Sequence, residues 1–322
     1  MVQFDVVALG ELLIDFTLSR DSAQGNPLFE ANPGGAPCNV LAMLTKLGRK
    51  CAFVGKVGDD MFGRQLRQTL NESGICADAL ITDAQAHTTL AFVKTAPNGD
   101  RDFSFYRDPG ADMLLTEQEL PKVLLSRTKI FHFGSLSMTH EGVRRATKAA
   151  VALAKAAGAL ISFDPNLRPP LWADLSEARE QIAYGLSVCD VLKIADNELQ
   201  FMTGEDDPER GARRLQTAYP NIRLLNVTCG AQGSHTYCGA LHAEQAAFLL
   251  GGTVDTTGAG DTFCACILHF LLTHTLDALT QDELRQMLRF ANAAAYLVTT
   301  KKGALRSMPS TAQISALLQE QV

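Results

Sequence analysis

Short runs of Val, Ile, Leu and Phe recur along the chain, each pair separated by room for one helix. This alternation constrains the fold more than any other feature. "DVVALGE" (5–11), "KCAFVGKVG" (50–58), "KIFHFGS" (129–135), "ALISFD" (159–164), "DVLKIA" (190–195) and "IRLLNVTCG" (222–230) read as strands. "NVLAMLTKLG" (39–48), "DMFGRQLRQTLNESG" (60–74), "EGVRRATKAAVALAKAAG" (141–158) and "RQMLRFANAAAYLVTT" (285–300) read as helices, the first three closed by a glycine. Strands apolar at consecutive positions need cover on both faces. Helical crossovers over a parallel sheet provide it, so the class is α/β with a mostly parallel central sheet.

Two stretches break the rhythm. Residues 13–32 ("LIDFTLS", "NPLFEANPGG") and 87–108 ("HTTLAFVKTAPNGDRDFSFYRD") alternate Thr, Phe and Val with polar residues, and "PNGD" is a hairpin signal. They are expected to form a small antiparallel β lid over one edge of the sheet. No internal repeat or low-complexity linker divides the chain, so 1–322 is read as one domain with the lid as an excursion.

The balance of charge and apolar residues excludes several classes. With 322 residues, 46% of them hydrophobic, the chain can bury a substantial core. A formal charge of −6 and no basic run of five or more make nucleic acid an unsuitable partner. "MVQFDVVALGELLIDF" lacks a basic n-region and carries Asp5, Glu11 and Asp15, so it reads as a strand entering a turn, not a signal peptide. The richest apolar run, 262–272, is shorter than the roughly 20 residues of a membrane span and reads as a core helix. The eight cysteines include only one close pair, Cys264 and Cys266, whose C-x-C spacing turns the thiols to different helix faces. They are expected to be free buried thiols in a reducing cytoplasm.

A Walker loop, a G-x-G-x-x-G fingerprint and the protein-kinase HRD and DFG sets are all missing. What remains is "DTTGAGDTF" (255–263), a glycine-rich turn entering the 262–272 helix. Gly258, Ala259 and Gly260 allow close backbone approach, and their N–H groups with the helix N-terminus make an anion cradle. Asp261 beside that cradle is either a helix cap or a base facing a phosphate. The helix dipole is expected to hold it ionised, which limits it to orientation and late proton removal. "NPGGAPCNV" (32–40) is a second glycine cluster. Gly34 and Gly35 allow approach of a small ligand, and Asn39 at the helix start is either an N-cap or a partner for a hydroxyl. With Asp15 just beyond the first strand, these residues make a candidate polyol site. "DPNLR" (164–168) follows a strand end, where open α/β sheets hold ligands, and Arg107 ends a lid strand.

"GGAPCN" and "DTTGAGDTF" resemble the two signatures of the ribokinase-like (PfkB) sugar kinases. "GKVGDDMFG", "TTLAFV", "DFSFYRDPGADMLL", "IFHFGSLS", "ISFDPNLRPPLW" and "DNELQFMTG" are similar, in order, to fructokinase segments across nearly the whole chain. The resemblance implies a three-layer αβα sandwich with a β lid, sugar between lid and sheet, and ATP along the C-terminal half. It implies Asp261 as general base and Gly258, Ala259 and Gly260 as anion hole. It implies Asp15, Gly34, Gly35, Asn39, Arg107, Asn166 and Arg168 around the sugar. Lys193, Thr228, Gly230, Gly233 and Asn292 would serve the nucleotide. Asp255, Thr257, Gly303 and Ser307 would match a monovalent-cation loop, with K+ as the candidate ion. Lids in this family often pair two subunits, and alternating apolar lid strands would permit a homodimer.

Two departures stand out. The family's N-x-x-E motif, tied to Mg2+, falls on Ala195 to Glu198, so only Glu198 carries over, acting through water. Cys266 replaces a preferred Ala or Gly and reads as a packing variation. The expected activity is an ATP-dependent sugar kinase, fructokinase first. Two other readings stay open: 2-keto-3-deoxygluconate kinase or another sugar or nucleoside kinase, since Arg107 and Arg168 could pair with a sugar acid, and a catalytically inactive sugar-binding protein.

Overall fold

The computed structural model describes residues 3–95 and 101–321. From the N-terminus, β1 (Phe4–Leu9) enters the core, and β2 (Leu13–Asp21) and β3 (Pro27–Gly34) leave it as a hairpin. The chain returns through α1 (Ala36–Lys46), β4 (Cys51–Gly58), α2 (Met61–Glu72) and β5 (Ile75–Asp83). It leaves again as β6 (Leu90–Thr95) and β7 (Arg101–Tyr106). A regular α/β succession follows: α3 (Lys122–Leu125), β8 (Thr128–Gly134), α4 (Glu141–Ala156), β9 (Leu160–Asp164), α5 (Leu175–Val188) and β10 (Val191–Ala195). Then come α6 (Asp196–Thr203), α7 (Pro208–Ala218), β11 (Leu224–Thr228), β12 (Ser234–Cys238) and β13 (Leu241–Gln245). The chain closes with α8 (Ala259–Leu271), α9 (Gln281–Thr299) and α10 (Thr311–Glu320).

The large sheet runs β13-β12-β11-β10-β9-β8-β1-β4-β5. Its strands from β5 to β11 pair in parallel, and β12 and β13 are added antiparallel at one edge. Alternate residues of β1 feed two separate cores. Val6 and Ala8 pack with α1, α2, α8, α9 and α10, whereas Val7 and Leu9 pack with α3 to α7. This is the period of two expected of a strand covered on both faces, and it produces the αβα sandwich. The second sheet runs β3-β2-β6-β7 and stands apart from the first. Its strands coincide with the two irregular stretches of the sequence. It is not wholly antiparallel, however, because β2 and β6 pair in parallel and join the two hairpins. The "PNGD" hairpin signal lies outside the described residues.

Sheet order fixes where a ligand can sit. From β1 the chain proceeds to β4 and β5 on one side, and from β8 to β11 on the other, so the order reverses between β1 and β8. A crevice opens at the carboxyl ends of the strands at such a point. The residues directly after these ends are Gly10, Ser135, Pro165, Asp196 and Cys229, and the segments they open feed one cleft.

Some local expectations give way to tertiary context. Helix α1 begins at Ala36, ahead of the predicted start, with Gly35 as its cap and Pro37 in its first turn, where a missing N–H costs nothing. Asn39 is therefore inside the helix and is not its cap. Likewise Gly258, at φ 79°, caps α8 without any side-chain bond, and Asp261 lies at its third position. Cys264 and Cys266 are buried within α8, and all eight cysteines are free thiols. Cys266 is buried in the core cluster that also holds residues of α1 and α9. No helix among the described residues is long and apolar enough to cross a membrane.

Helix α5 contains Gly185 for a packing reason. A Cβ there would come 2.4 Å from the ring of fully buried Phe163. Glycine-to-alanine exchange inside a helix ordinarily stabilises by about 1 kcal/mol. Here Gly185→Ala is expected instead to destabilise by about 1–3 kcal/mol through overpacking, read as a lower denaturant midpoint at unchanged m-value.

Candidate active site

The cleft at the carboxyl ends of the strands has a volume of about 820 Å³. One wall is the small sheet, which contributes Asp15, Thr17, Glu30, Asn32, Val93 and Phe105. The floor is made by Asn39, Asn166, Arg168, Lys193 and Glu198, and the far end by Thr228, Gly230, Gly233 and Asn292. Gly258, Ala259, Gly260 and Asp261 lie between these ends, with Asp255, Thr257 and Gly303 along one flank. A smaller groove of about 490 Å³ between α5, α6 and α7, lined by Arg179, Phe201 and Arg214, brings no acid–base pair together.

Asp261 is the focus of the cleft. Asn39 Nδ2 donates to its Oδ2 at 2.8 Å, joining the first turn of α8 to α1 across 222 residues of sequence. Asn39 is itself buried, and its Oδ1 has no partner among the described residues. An acceptor of that kind suits a substrate hydroxyl. Burial, reinforced by the Asp164 carboxylate, raises Asp261 from 3.8 to about 6; Asn39, Lys193 and Arg168 oppose the shift. This corrects the expectation that the helix dipole weakens Asp261 as a base. The dipole acts on an exposed helix end by a fraction of a unit, and desolvation outweighs it here. A carboxylate near 6 is a better base than a surface one, yet remains mostly ionised at neutral pH.

Lys193, inward-facing on β10, pairs with Asp164 at the end of β9 at 3.1 Å. Burial would lower the lysine, but Asp164, Glu198 and Asp261 together outweigh it and hold the ammonium above its ordinary value. A Cβ added at Gly260 would lie 3.0 Å from Lys193 Nζ. The ammonium thus stands over the bare backbone of the α8 turn, and cation and helix N-terminus address the same volume. Asp164 escaped sequence reading as a site residue, although it opens the "DPNLR" stretch. Its signal was its place at a strand end beside Asn166, which adopts φ 43° and donates its N–H to Asp164 Oδ1.

Glu198 is buried, and both its oxygens accept backbone N–H groups, from Leu167 at 2.6 Å and Ala195 at 2.8 Å. It ties the "DPNLR" loop to the start of α6, and Ala195, standing where the family has Asn, still serves as that helix's cap position. Desolvation raises its pKa despite Lys193 nearby. Each oxygen retains a second lone pair, so the geometry suits a water-mediated metal contact better than direct ligation.

Several expected residues act differently. Arg107 does not line the cleft. Its guanidinium is buried and committed to Asp112, Thr139 and the Leu136 carbonyl, because a desolvated guanidinium must satisfy its donors nearby. Gly34 is also behind the surface: a Cβ there would fall 2.3 Å from Asp15 Oδ2, so this glycine makes room for the aspartate. Gly35, at φ 125°, has Glu11 O only 2.4 Å from where a Cβ would stand. Glu11, absent from the sequence-based set, is buried at the cleft and accepts Ala36 N–H at 2.8 Å; burial raises it to about 7. Nothing in its position distinguished it from a turn residue.

The flank near 255–257 forms an oxygen-rich loop. Asp255 Oδ1 accepts from Thr257 N and Oγ1, and its Oδ2 from Gly303 N at 3.1 Å. Ser307 stands behind and donates to Lys302 O at 2.6 Å, shaping the loop without reaching the cleft. At the far end, Asn292 donates to Ser234 and to Leu288 O. Gly233, at φ 103°, passes so close to β13 that a Cβ would meet Gln245 O at 2.0 Å.

A family model described as pfkB family carbohydrate kinase matches residues 3–311. The chain belongs to this family. It is 42% identical over 315 residues to "Fructokinase-2" of Solanum habrochaites, covering 97% of this chain and 95% of that one. Among solved structures it is similar to fructokinase with bound ATP from Xylella fastidiosa, at TM-score 0.88 and 33% identity over 98% and 99% of the two chains. It is also similar to fructokinase from Vibrio cholerae O395 in its fructose, ADP and calcium ion bound form, at TM-score 0.87 and 31% identity over 98% and 99%. This kinase therefore has the ribokinase-like fold, with its glycine-rich turn at the centre of the cleft.

kcat/KM is expected to rise with pH through about 6 and level off above it. Asp261→Asn should lose that limb along with about 10²-fold or more of the rate. Because the folded-state pKa is raised, the stability from this group is present below pH 3.8 and lost as pH climbs through about 6. The Asn variant should thus melt higher than the parent at pH 7.5, with the gap closing toward pH 4. The glycines should separate as well. In Gly258→Val the new Cβ would strike Ala304 Cβ at 2.6 Å in left-handed backbone. That substitution should lower Tm, whereas Gly260→Ala, meeting only the flexible end of Lys193, should cut kcat about tenfold or more with Tm nearly unchanged.

Proposed function

We propose that this kinase is an ATP-dependent fructokinase, converting ATP and D-fructose to ADP and D-fructose 6-phosphate. The observation that carries the reading is the junction at Asp261: a buried carboxylate raised to about 6, bonded to Asn39 on the sugar side and adjoining Lys193 and the Gly258–Gly260 turn. Its nearby relatives named fructokinase support the acceptor, as does the fructose and ADP held by the Vibrio cholerae protein.

In this reading the ketohexose lies between the small sheet and the strand ends. Asp15 and Asn39 accept and donate to its hydroxyls, and Arg168 and Asn166 border the reacting end. The primary hydroxyl attacks the γ-phosphorus, its proton passes to Asp261, and the bond to the β-phosphate oxygen breaks to release ADP. Lys193 and the backbone of Gly258–Gly260 offset charge growing on the transferring oxygens. Thr228, Gly230, Gly233 and Asn292 border the nucleotide. Mg2+ bound to ATP supplies further charge neutralisation, and Glu198 would hold one of its waters. Asp255, with Thr257 and the loop through Gly303 that Ser307 braces, would hold a monovalent cation, K+ by its oxygen-only donors. The wall formed by the small sheet keeps water from competing for the phosphoryl group.

The sugar-acid alternative loses one of its two arginines, since Arg107 is withdrawn from the cleft and only Arg168 lines it. Coupled ATP turnover over hexoses, pentoses, nucleosides and ketodeoxygluconate tests the reading. Fructose is expected to give the highest kcat/KM; higher efficiency with ketodeoxygluconate overturns it, and no turnover with any acceptor favours an inactive sugar-binding protein.

A further inference from the structure

The small sheet leaves the body at four points, and three of them converge on one buried cluster. Arg107 is the first residue after β7, and Thr89 the last before β6. Between them in space lies Asp112, on a short helical turn over residues 111–114. Its Oδ2 accepts from Arg107 Nε at 2.8 Å and Nη2 at 2.6 Å, and its Oδ1 accepts from the Thr89 hydroxyl at 2.5 Å. The Thr89 carbonyl in turn accepts the N–H of Ile14, in β2. On the body side, Arg107 Nη1 donates to Thr139 Oγ1 at 2.9 Å and Nη2 to the Leu136 carbonyl at 3.0 Å, both in the loop after β8.

Two features separate this cluster from an incidental ion pair. Arg107, Asp112 and Thr89 are 8%, 4% and 1% exposed, so the charges are desolvated and depend on each other. The packing also excludes a side chain at Gly110, where a Cβ would lie 2.0 Å from Thr89 Oγ1 and 2.8 Å from Asp112 Oδ1. Leu136, whose carbonyl Arg107 grips, lines the cleft itself. The cluster therefore connects the roots of β2, β6 and β7 to a cleft-bordering loop, through one guanidinium that stands outside the cleft.

We propose that Arg107, Asp112 and Thr89 form the hinge clamp of the lid, positioning residues that set how the small sheet closes over the sugar without touching it. A lid held at a fixed root presents Asp15 and Asn32 to the sugar in one register and shuts out water together. When the root is loosened, the sugar loses its wall while the nucleotide end, built on β11, β12 and α9, keeps its own. The lost contacts would then appear in sugar binding and in the partition between sugar and water as acceptor.

The inference rests on the kinase reading of the cleft, so its test includes one measurement that needs no activity. Asp112→Asn and Thr139→Val are made in the full chain, with Arg107→Met/Asp112→Leu as a charge-free pair in case the single buried change prevents folding. Each is expected to raise the KM for fructose about tenfold, with the KM for ATP within about twofold, and to raise ATP hydrolysis without sugar relative to transfer. Amide hydrogen exchange should quicken in β2, β6 and β7 and stay unchanged in β1 and β8. Parent-like fructose KM, sugar-free hydrolysis and lid exchange in Thr139→Val overturn the clamp. So does an equal loss on both substrates accompanied by faster exchange throughout, which marks a general stability role. If the parent chain does not phosphorylate fructose, the functional reading fails, and lid exchange alone then decides the clamp.

Discussion

A carboxylate taken out of water at the first turn of a helix is the constraint around which this molecule is arranged. Asp261 cannot stay ionised there unless something compensates it, and too much compensation would leave it useless as a base. Asn39 and Lys193 stabilise the anion, while burial and Asp164 oppose it, leaving the group near 6. Each of those neighbours arrives from a different element: α1, β10 and β9. The parallel sheet is what brings them together, since its carboxyl ends converge at the reversal between β1 and β8.

The glycines around this centre serve distinct purposes. Gly260 leaves room for the Lys193 ammonium, Gly34 for the Asp15 carboxylate, and Gly258 for Ala304 of the neighbouring loop. Only the first keeps open the volume a phosphoryl group would use. A glycine-rich motif is thus a set of separate steric permissions, and its members differ in whether replacement harms chemistry or folding. The same holds for the buried charges. Lys193–Asp164 faces the cleft, whereas Arg107–Asp112 is turned to the lid root, although both pairs are desolvated and well bonded.

Much of the architecture was legible in the chain. The strands apolar at every position had to be covered twice, and the two alternating stretches had to lie elsewhere, where one face meets solvent or ligand. The strands β5, β12 and β13, at the two ends of the sheet, were not read: "SHTYC" and "LHAEQ" carry too few apolar residues to separate them from loops, and Asp78 interrupts the apolar run of "ICADALITD". Of the site, the glycine turn, Asp261, Asp15, Asn39, Asn166, Arg168 and Lys193 do meet in one cleft. Glu11 and Asp164 went unread because an isolated acid after a strand looks like any turn residue until its burial is known. Arg107 was misread for the opposite reason: its position at a strand end is compatible with pointing either way, and Asp112 five residues on decides the matter.

The sequence by itself determined the class of fold, the presence of two sheets and the place of the anion cradle, since periodicity, glycine backbone freedom and helix entry are local properties of neighbouring residues. Tertiary structure alone decided how far Asp261 is shifted, which arginine lines the cleft and which is turned to the lid root, and which glycines border the cleft. Those depend on desolvation and on contacts between residues as far apart as Asn39 and Asp261, and no local pattern encodes the distance between them.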